Sequence, residues 1–300
     1  MTISPDTHWQ SWSLAERERA YSPSSVAPGF GSILDQYRQT SLETARSLPA
    51  PEHLRYGPSE REYLTLFPCA GDRVMLYFHG GYWQELSAKD SLFPAAGLLP
   101  RGIAYAAANY SLAPQAQLPQ IVEQAVQAVC QLQRWYRDRR RRVQTVIAGS
   151  SAGAHLAAML LMEDWQAHGL HTPPFDGALL ISGIYDLHPL QGTYIDAALK
   201  LDATQVHNLS PARLRLQAPV PTAVVWGEIE TAEFKRQSIE FGQQLAGQDS
   251  LLLMQEIPDR NHFDIVLELN DRASPLGHCV DQLFSATESN RSHSWESSKY

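Results

Sequence analysis

From residue 62 onward the chain alternates short apolar runs with longer stretches in which apolar positions return at helical intervals. The runs predict strands at 62–67, 74–79, 104–109, 145–149, 177–184, 222–226 and 250–256. The periodic stretches predict helices at 118–136, 152–167, 232–245 and 278–284. Runs such as Thr145-Val-Ile-Ala and Ala223-Val-Val-Trp show little polar alternation. A strand that is apolar on both faces has to be covered on both, which is the situation of a parallel strand between two layers of helices. The pattern therefore predicts an α/β fold, a doubly wound and mostly parallel sheet with helices on both faces.

The flanks read differently. Ahead of the sheet, Ile33, Leu34, Tyr37, Leu42 and Ala45 recur at near-helical spacing within 31–47, which predicts a helix packed on the outside of the larger body after a polar leader. The stretch 186–213 holds Pro189 and Pro211 with little strand pattern, and predicts a small insertion over the sheet edge that forms part of a cap. The last residues are Ser-rich and poor in apolar positions, as in a mobile tail. The expected organisation is a leader and packed helix over 1–60, one sheet domain over 61–286 and a tail over 287–300.

Composition removes several classes. With 300 residues, 44% hydrophobic and 19% charged, the makeup is that of an ordinary globular chain with enough length for one large core. The longest apolar stretches fall well short of the roughly 18 residues that a membrane helix needs. The opening residues lack the basic start and apolar block of a secretory signal, so the expected location is the cytoplasm, with no membrane partner. A net charge of −8 opposes a nucleic-acid partner, which would require clustered cations. The basic group of Arg137 and Arg139 to Arg142, beside Arg134, ends a predicted helix, where cations complement the negative end of the dipole. Cys69, Cys130 and Cys279 are odd in number and have no metal-like spacing, so they read as reduced thiols with no metal site. The expected partner is a small-molecule substrate, with a homodimer left open.

The chemistry is concentrated at strand ends. Gly149-Ser150-Ser151-Ala152-Gly153 fits G-x-S-x-G where a buried strand runs into a helix. A turn tight enough to lift Ser151 clear of the sheet requires small neighbours, and they are present. Upstream, His79-Gly80-Gly81-Tyr82-Trp83 follows another strand. Glycines let backbone N–H groups turn toward a developing oxyanion, so Gly80, Gly81 and Ala152 are the expected donors, with His79 bracing the loop. A serine hydroxyl needs an imidazole to take its proton and an acid to orient that imidazole, in the chain order serine, acid, histidine. His262, in the turn after the last predicted strand, is the expected base; His278 falls in a helical stretch and His293 in the polar tail. The acid should leave the strand at 222–226, where Glu228, Glu230 and Glu233 compete, and Glu230 has the best expected reach. Tyr82, Trp83, Tyr110 and Tyr185 are the expected aromatic lining of a substrate pocket.

Several segments together resemble the kynurenine formamidase (arylformamidase) branch of the α/β-hydrolase esterases: His79-Gly-Gly-Tyr-Trp-Gln84, Asn109-Tyr-Ser-Leu-Ala-Pro114, Ser151-Ala-Gly-Ala-His-Leu-Ala-Ala158, Ser182-Gly-Ile-Tyr-Asp-Leu187 and Asn261-His-Phe263. Tyr21-Ser-Pro-Ser24 and Glu233-Phe-Lys-Arg-Gln237 extend the likeness over most of the chain. Two positions depart from the family pattern: Ser150 stands where His is common, and Glu230 where Asp is common. The resemblance implies an α/β-hydrolase fold and a cofactor-free serine hydrolase of tryptophan breakdown, converting N-formylkynurenine to kynurenine and formate. A carboxylesterase for small acyl or aryl esters is the alternative enzyme. A binding protein on a dead hydrolase fold is the alternative class, opposed by the presence of both Ser151 and His262.

Overall fold

The computed structural model describes the backbone of residues 9–297 and the side chains of residues 9–287. Among these residues eight strands form one sheet: β1 Glu52–Arg55, β2 Tyr63–Phe67, β3 Arg73–Phe78, β4 Ile103–Asn109, β5 Gln144–Ser150, β6 Gly177–Ile181, β7 Thr222–Ile229 and β8 Leu251–Asn261. The spatial order is β1-β2-β4-β3-β5-β6-β7-β8. The β1–β2 and β2–β4 pairs are antiparallel and the others parallel. Around the sheet lie α1 Leu14–Ala20, α2 Phe30–Ser47, α3 Pro94–Leu98, α4 Leu118–Asp138, α5 Ala152–Met162, α6 Asp196–Leu199, α7 Ala203–Asn208, α8 Ala232–Ala246 and α9 Pro275–Ser297.

Strand β3 shows how the core divides. Val74, Leu76 and Phe78 pack with residues of α4, α5 and α8, while Met75 and Tyr77 pack with α2, α3 and α9. Alternate side chains of a strand point to opposite faces, so both faces need helices. Helix α5, Ala-Gly-Ala-His-Leu-Ala-Ala-Met-Leu-Leu-Met, is apolar nearly all round and is buried along its whole length. Helix α4 buries Leu118, Ile121, Val122, Ala125 and Val129 on one side, and a Gln117–Gln120 capping box closes its first turn. Each Leu, Ile or Val among these contributes about 1.5–3 kcal/mol when fully buried.

The boundaries depart from the expected ones for local reasons. In β1 only Leu54 of Glu-His-Leu-Arg is buried, so the strand leaves almost no apolar signal, and the sheet begins inside the stretch expected to be leader. Strand β6 stops at Ile181 because Ser182 turns to φ 51°. Strand β7 runs to Ile229, which places Glu230 directly at its end. Helix α9 continues through Ser297, well into the stretch expected to be a tail; residues 298–300 lie outside the described residues. The stretch 186–213 folds as short turns with α6 and α7. None of the described helices is long and apolar enough to cross a membrane.

Parallel strands end at one edge of a sheet, and that edge is where open α/β sheets gather ligand-binding loops. Here β3 delivers His79, β5 Ser151, β7 Glu230 and β8 His262 to the same edge. The arginine group sits between α4 and β5, at the start of the strand whose other end carries Ser151. Arg139 lies 3.9 Å over the Trp135 ring and Arg141 donates to the carbonyls of Cys69 and Ala70.

Candidate active site

Strand β5 ends at Ser150 and α5 begins at Ala152, so Ser151 alone makes the turn, with φ 55° and ψ −119°. That conformation costs a residue with a Cβ about 1–3 kcal/mol and persists only where surroundings enforce it. The Ser151 N–H donates to the Ile181 carbonyl at 2.9 Å, and its own carbonyl accepts from His155 N–H at 3.1 Å. The close approach demands glycine: a Cβ on Gly153 would stand 1.9 Å from the Phe78 carbonyl oxygen, and one on Gly149 2.2 Å from that of Gly153. Behind Ser151 the first amides of α5 present the positive end of its dipole.

The loop after β3 is braced by His79. Its Nδ1 donates to the Gly80 carbonyl at 2.8 Å, its ring stacks on Tyr110 at 4.2 Å, and its carbonyl accepts from the Tyr110 hydroxyl at 2.7 Å. In a trans peptide the C=O and the following N–H point opposite ways. By holding the Gly80 carbonyl, His79 therefore sets the direction of the Gly81 N–H. Gly81 has φ 99°, and a Cβ there would meet the Glu85 carbonyl at 2.5 Å. Burial lowers the His79 pKa to about 4, so the ring is neutral near pH 7 and serves as a brace.

At the other side, His262 Nδ1 donates to Glu230 Oε2 at 2.9 Å. The other Glu230 oxygen, Oε1, accepts from Ser182 Oγ at 2.5 Å and from Gly227 N–H at 2.7 Å. The glutamate side chain is 0% exposed and the histidine 5%. The two competing glutamates are engaged elsewhere: Glu228 accepts from Asp259 N–H, and Glu233 from the Tyr21 hydroxyl and Arg236. The turn carrying His262 is pinned by reciprocal bonds between Asn261 and Asp264. Ser151 and His262 both line one cavity of about 420 Å³, as do Gly80 and Gly81; Ala152 is fully buried immediately behind Ser151.

A family model described as the α/β-hydrolase fold matches residues 75–255. The chain is 33% identical to a kynurenine formamidase of Danio rerio, over 88% of this chain and 94% of that protein. It is 30% identical to a kynurenine formamidase of Salmo salar over the same shares. A solved structure from Silicibacter sp. tm1040 superposes with a TM-score of 0.76 at 25% identity, over 87% of this chain and 97% of that one. The chain belongs to the α/β-hydrolase family, in its kynurenine formamidase-like branch. It is an enzyme, a hydrolase.

The lining of the hydrolase cavity differs from the expected one. Tyr82 lines it, but Trp83, Tyr110 and Tyr185 do not. Those three are 0%, 1% and 0% exposed. Trp83 stands edge-on to His155 at 4.9 Å, Tyr110 lies under His79, and Tyr185 stacks on Phe241 at 4.3 Å. Large rings beside tight loops fill the space that the loops enclose, so these aromatics support the site from the core. The apolar wall comes instead from α2, whose Phe30, Leu34 and Tyr37 face the cavity, and from Phe93, Ile195 and Phe263. Helix α2 is thus a wall of the site and not an outside decoration. Phe30, Leu34 and Tyr37 stand at i, i+4 and i+7, and the last two belong to the stripe that predicts the helix. Ser182, which bonds Glu230, was within reach as well, in the Ser-Gly-Ile-Tyr-Asp-Leu segment. Ser150, at the family's common His position, also lines the cavity beside Tyr77.

Proposed function

We propose that this hydrolase cleaves an N-formyl arylamine, N-formylkynurenine, to the free arylamine kynurenine and formate, with Ser151 as nucleophile, His262 as base and Glu230 as the acid that orients it. The observation that carries the reading is the 2.9 Å hydrogen bond between His262 and Glu230 at a cavity also lined by Ser151. The names of the relatives support the substrate, and so does an apolar wall suited to an aryl ring.

The steps follow from the groups present. Glu230 accepts the Nδ1 proton of His262, which leaves Nε2 free to take the Ser151 proton. Ser151 Oγ bonds to the formyl carbon, and the N–H groups of Gly80, Gly81 and Ala152 receive the oxyanion; one such donor contributes about 3 kcal/mol. His262 passes its proton to the nitrogen as the C–N bond breaks and the arylamine departs. Water, deprotonated by His262, then attacks the formyl ester, releasing formate and restoring Ser151. A formyl group is the smallest acyl group, so most of the roughly 420 Å³ serves the arylamine. The chemistry calls for no cofactor, and the substrate is a free small molecule of the cytoplasm.

Turnover of N-formylkynurenine should exceed that of a p-nitrophenyl acyl series in kcat/KM. A flat preference for esters would overturn the substrate and leave a carboxylesterase. Ser151→Ala should reduce kcat on the order of 10⁴-fold or more; retained turnover would remove Ser151 as nucleophile.

A further inference from the structure

The three loops that carry the proposed chemistry leave different strands, yet each is tied to one N-terminal segment. The Tyr82 hydroxyl, next to Gly81, donates to the Tyr21 carbonyl. The Thr231 hydroxyl, next to Glu230, donates to the Ala20 carbonyl at 2.6 Å. The Tyr37 hydroxyl donates to the carbonyl of Phe263, next to His262. The segment is itself anchored: the Tyr21 hydroxyl donates to Glu233 Oε1 at 2.6 Å, and Ser41 Oγ accepts from the N–H groups of Leu92 and Phe93. Tyr21 is 1% exposed and Tyr37 7%, and the Tyr21–Glu233 anchor is fully buried, away from competing water.

We infer that residues 20–37 form a clamp that sets the relative positions of the oxyanion, acid and histidine loops, with Tyr82, Thr231 and Tyr37 as its positioning residues. The inference rests on the roles proposed for Ser151, Glu230 and His262. The sheet fixes where each loop starts, but not where its far end lies. Reacting groups must meet within a few tenths of an ångström, and a 1 Å misplacement can cost about 10²-fold in rate. Thr231 does not line the cavity, so its bond to Ala20 reaches the chemistry through its neighbour Glu230 and not through substrate.

Thr231→Val, Tyr82→Phe and Tyr37→Phe each remove one hydroxyl and keep the rest of the side chain. Each should lower kcat about 5- to 30-fold with KM within about twofold, while cooperative unfolding is retained. Thr231→Ser should keep the wild-type kcat. Because one segment bridges three loops, two cuts already separate all of them, and the third substitution should cost less than about twofold more. Unchanged kcat in all three single variants would overturn the clamp. So would a raised KM with kcat unchanged, which would make the hydroxyls substrate contacts, or a Thr231→Ser variant as slow as Thr231→Val. The assays use N-formylkynurenine and p-nitrophenyl acetate in parallel. A wrong substrate assignment silences only the formamide for every variant, whereas a wrong clamp leaves the variants at the wild-type rate on whichever substrate turns over.

Discussion

Around Ser151 the chain is confined by its own backbone: carbonyls of Phe78 and Gly153 stand where a single added carbon would go, and every contact lies between adjoining parallel strands and the helix that follows. Around residues 20–37 the restraint is of another kind. There, hydroxyl-to-carbonyl bonds join residues 61, 211 and 226 positions apart. Steric exclusion admits no intermediate state, so the elbow is either built or lost. Hydrogen bonds weaken by degrees, at about 1 kcal/mol each, so the clamp is adjustable. Ser151 is thus placed by a rigid device, while the loops that carry Gly81, Glu230 and His262 are tied by a compliant one.

The largest expected effect breaks the rigid half. Gly153→Ala puts a carbon 1.9 Å from a carbonyl oxygen in a packed core, and should cost more than about 4 kcal/mol, seen as insoluble protein or a collapsed unfolding midpoint. A soluble, stable variant would mean that the elbow yields after all. Next comes acid. His79 and His155 lie in and against the loop after β3, and burial holds the pKa of each at about 4 against an unfolded value near 6.5. Between those values the unfolded chain binds protons that the folded chain refuses. Stability is therefore complete above about pH 6.5 and falls as pH drops toward 4, by on the order of 1.4 kcal/mol per pH unit for each histidine. Calorimetry from pH 7 to pH 5 should show a falling Tm, and His155→Gln should flatten part of the slope; an unchanged slope in that variant would remove His155 from the cause. The smallest effect tests the compliant half. Phe30 is 37% exposed and stacks on Phe263 at 5.0 Å. Phe30→Ala should cost no more than about 1.5 kcal/mol, the upper end for an aromatic pair. Its signature, on the proposed function, is a several-fold rise in KM for N-formylkynurenine, and an unchanged KM would take Phe30 out of contact with it.

The elbow and the parallel sheet were legible because their rules are local: an apolar strand, a turn and small residues within a few positions. The place of His262 in the turn after the last strand, where it meets Glu230, was legible from chain order. Glu230 was one of three, and only the folded chain shows Glu228 and Glu233 bonded elsewhere. What stayed hidden is long-range. Strand β1 carries a single buried side chain and exists by pairing with β2. Closeness to the motifs in sequence points to Trp83, Tyr110 and Tyr185 as pocket lining, yet the folded chain buries all three beneath the loops. The true wall comes from α2, distant in the chain and brought in by Tyr37 and Ser41.

The Ala20–Thr231 and Tyr37–Phe263 bonds also have a meaning in time. They close loops of 211 and 226 residues, among the most non-local contacts the chain makes. Contacts of high sequence separation are slow to form, because the intervening chain must first be ordered. During synthesis α2 can dock early through Ser41 on the amides of Leu92 and Phe93, but the Tyr37 partner, Phe263, is made late. The Tyr37–Phe263 bond can form only after residue 263 has been made, so the tether of the His262 loop belongs to the last stage of synthesis.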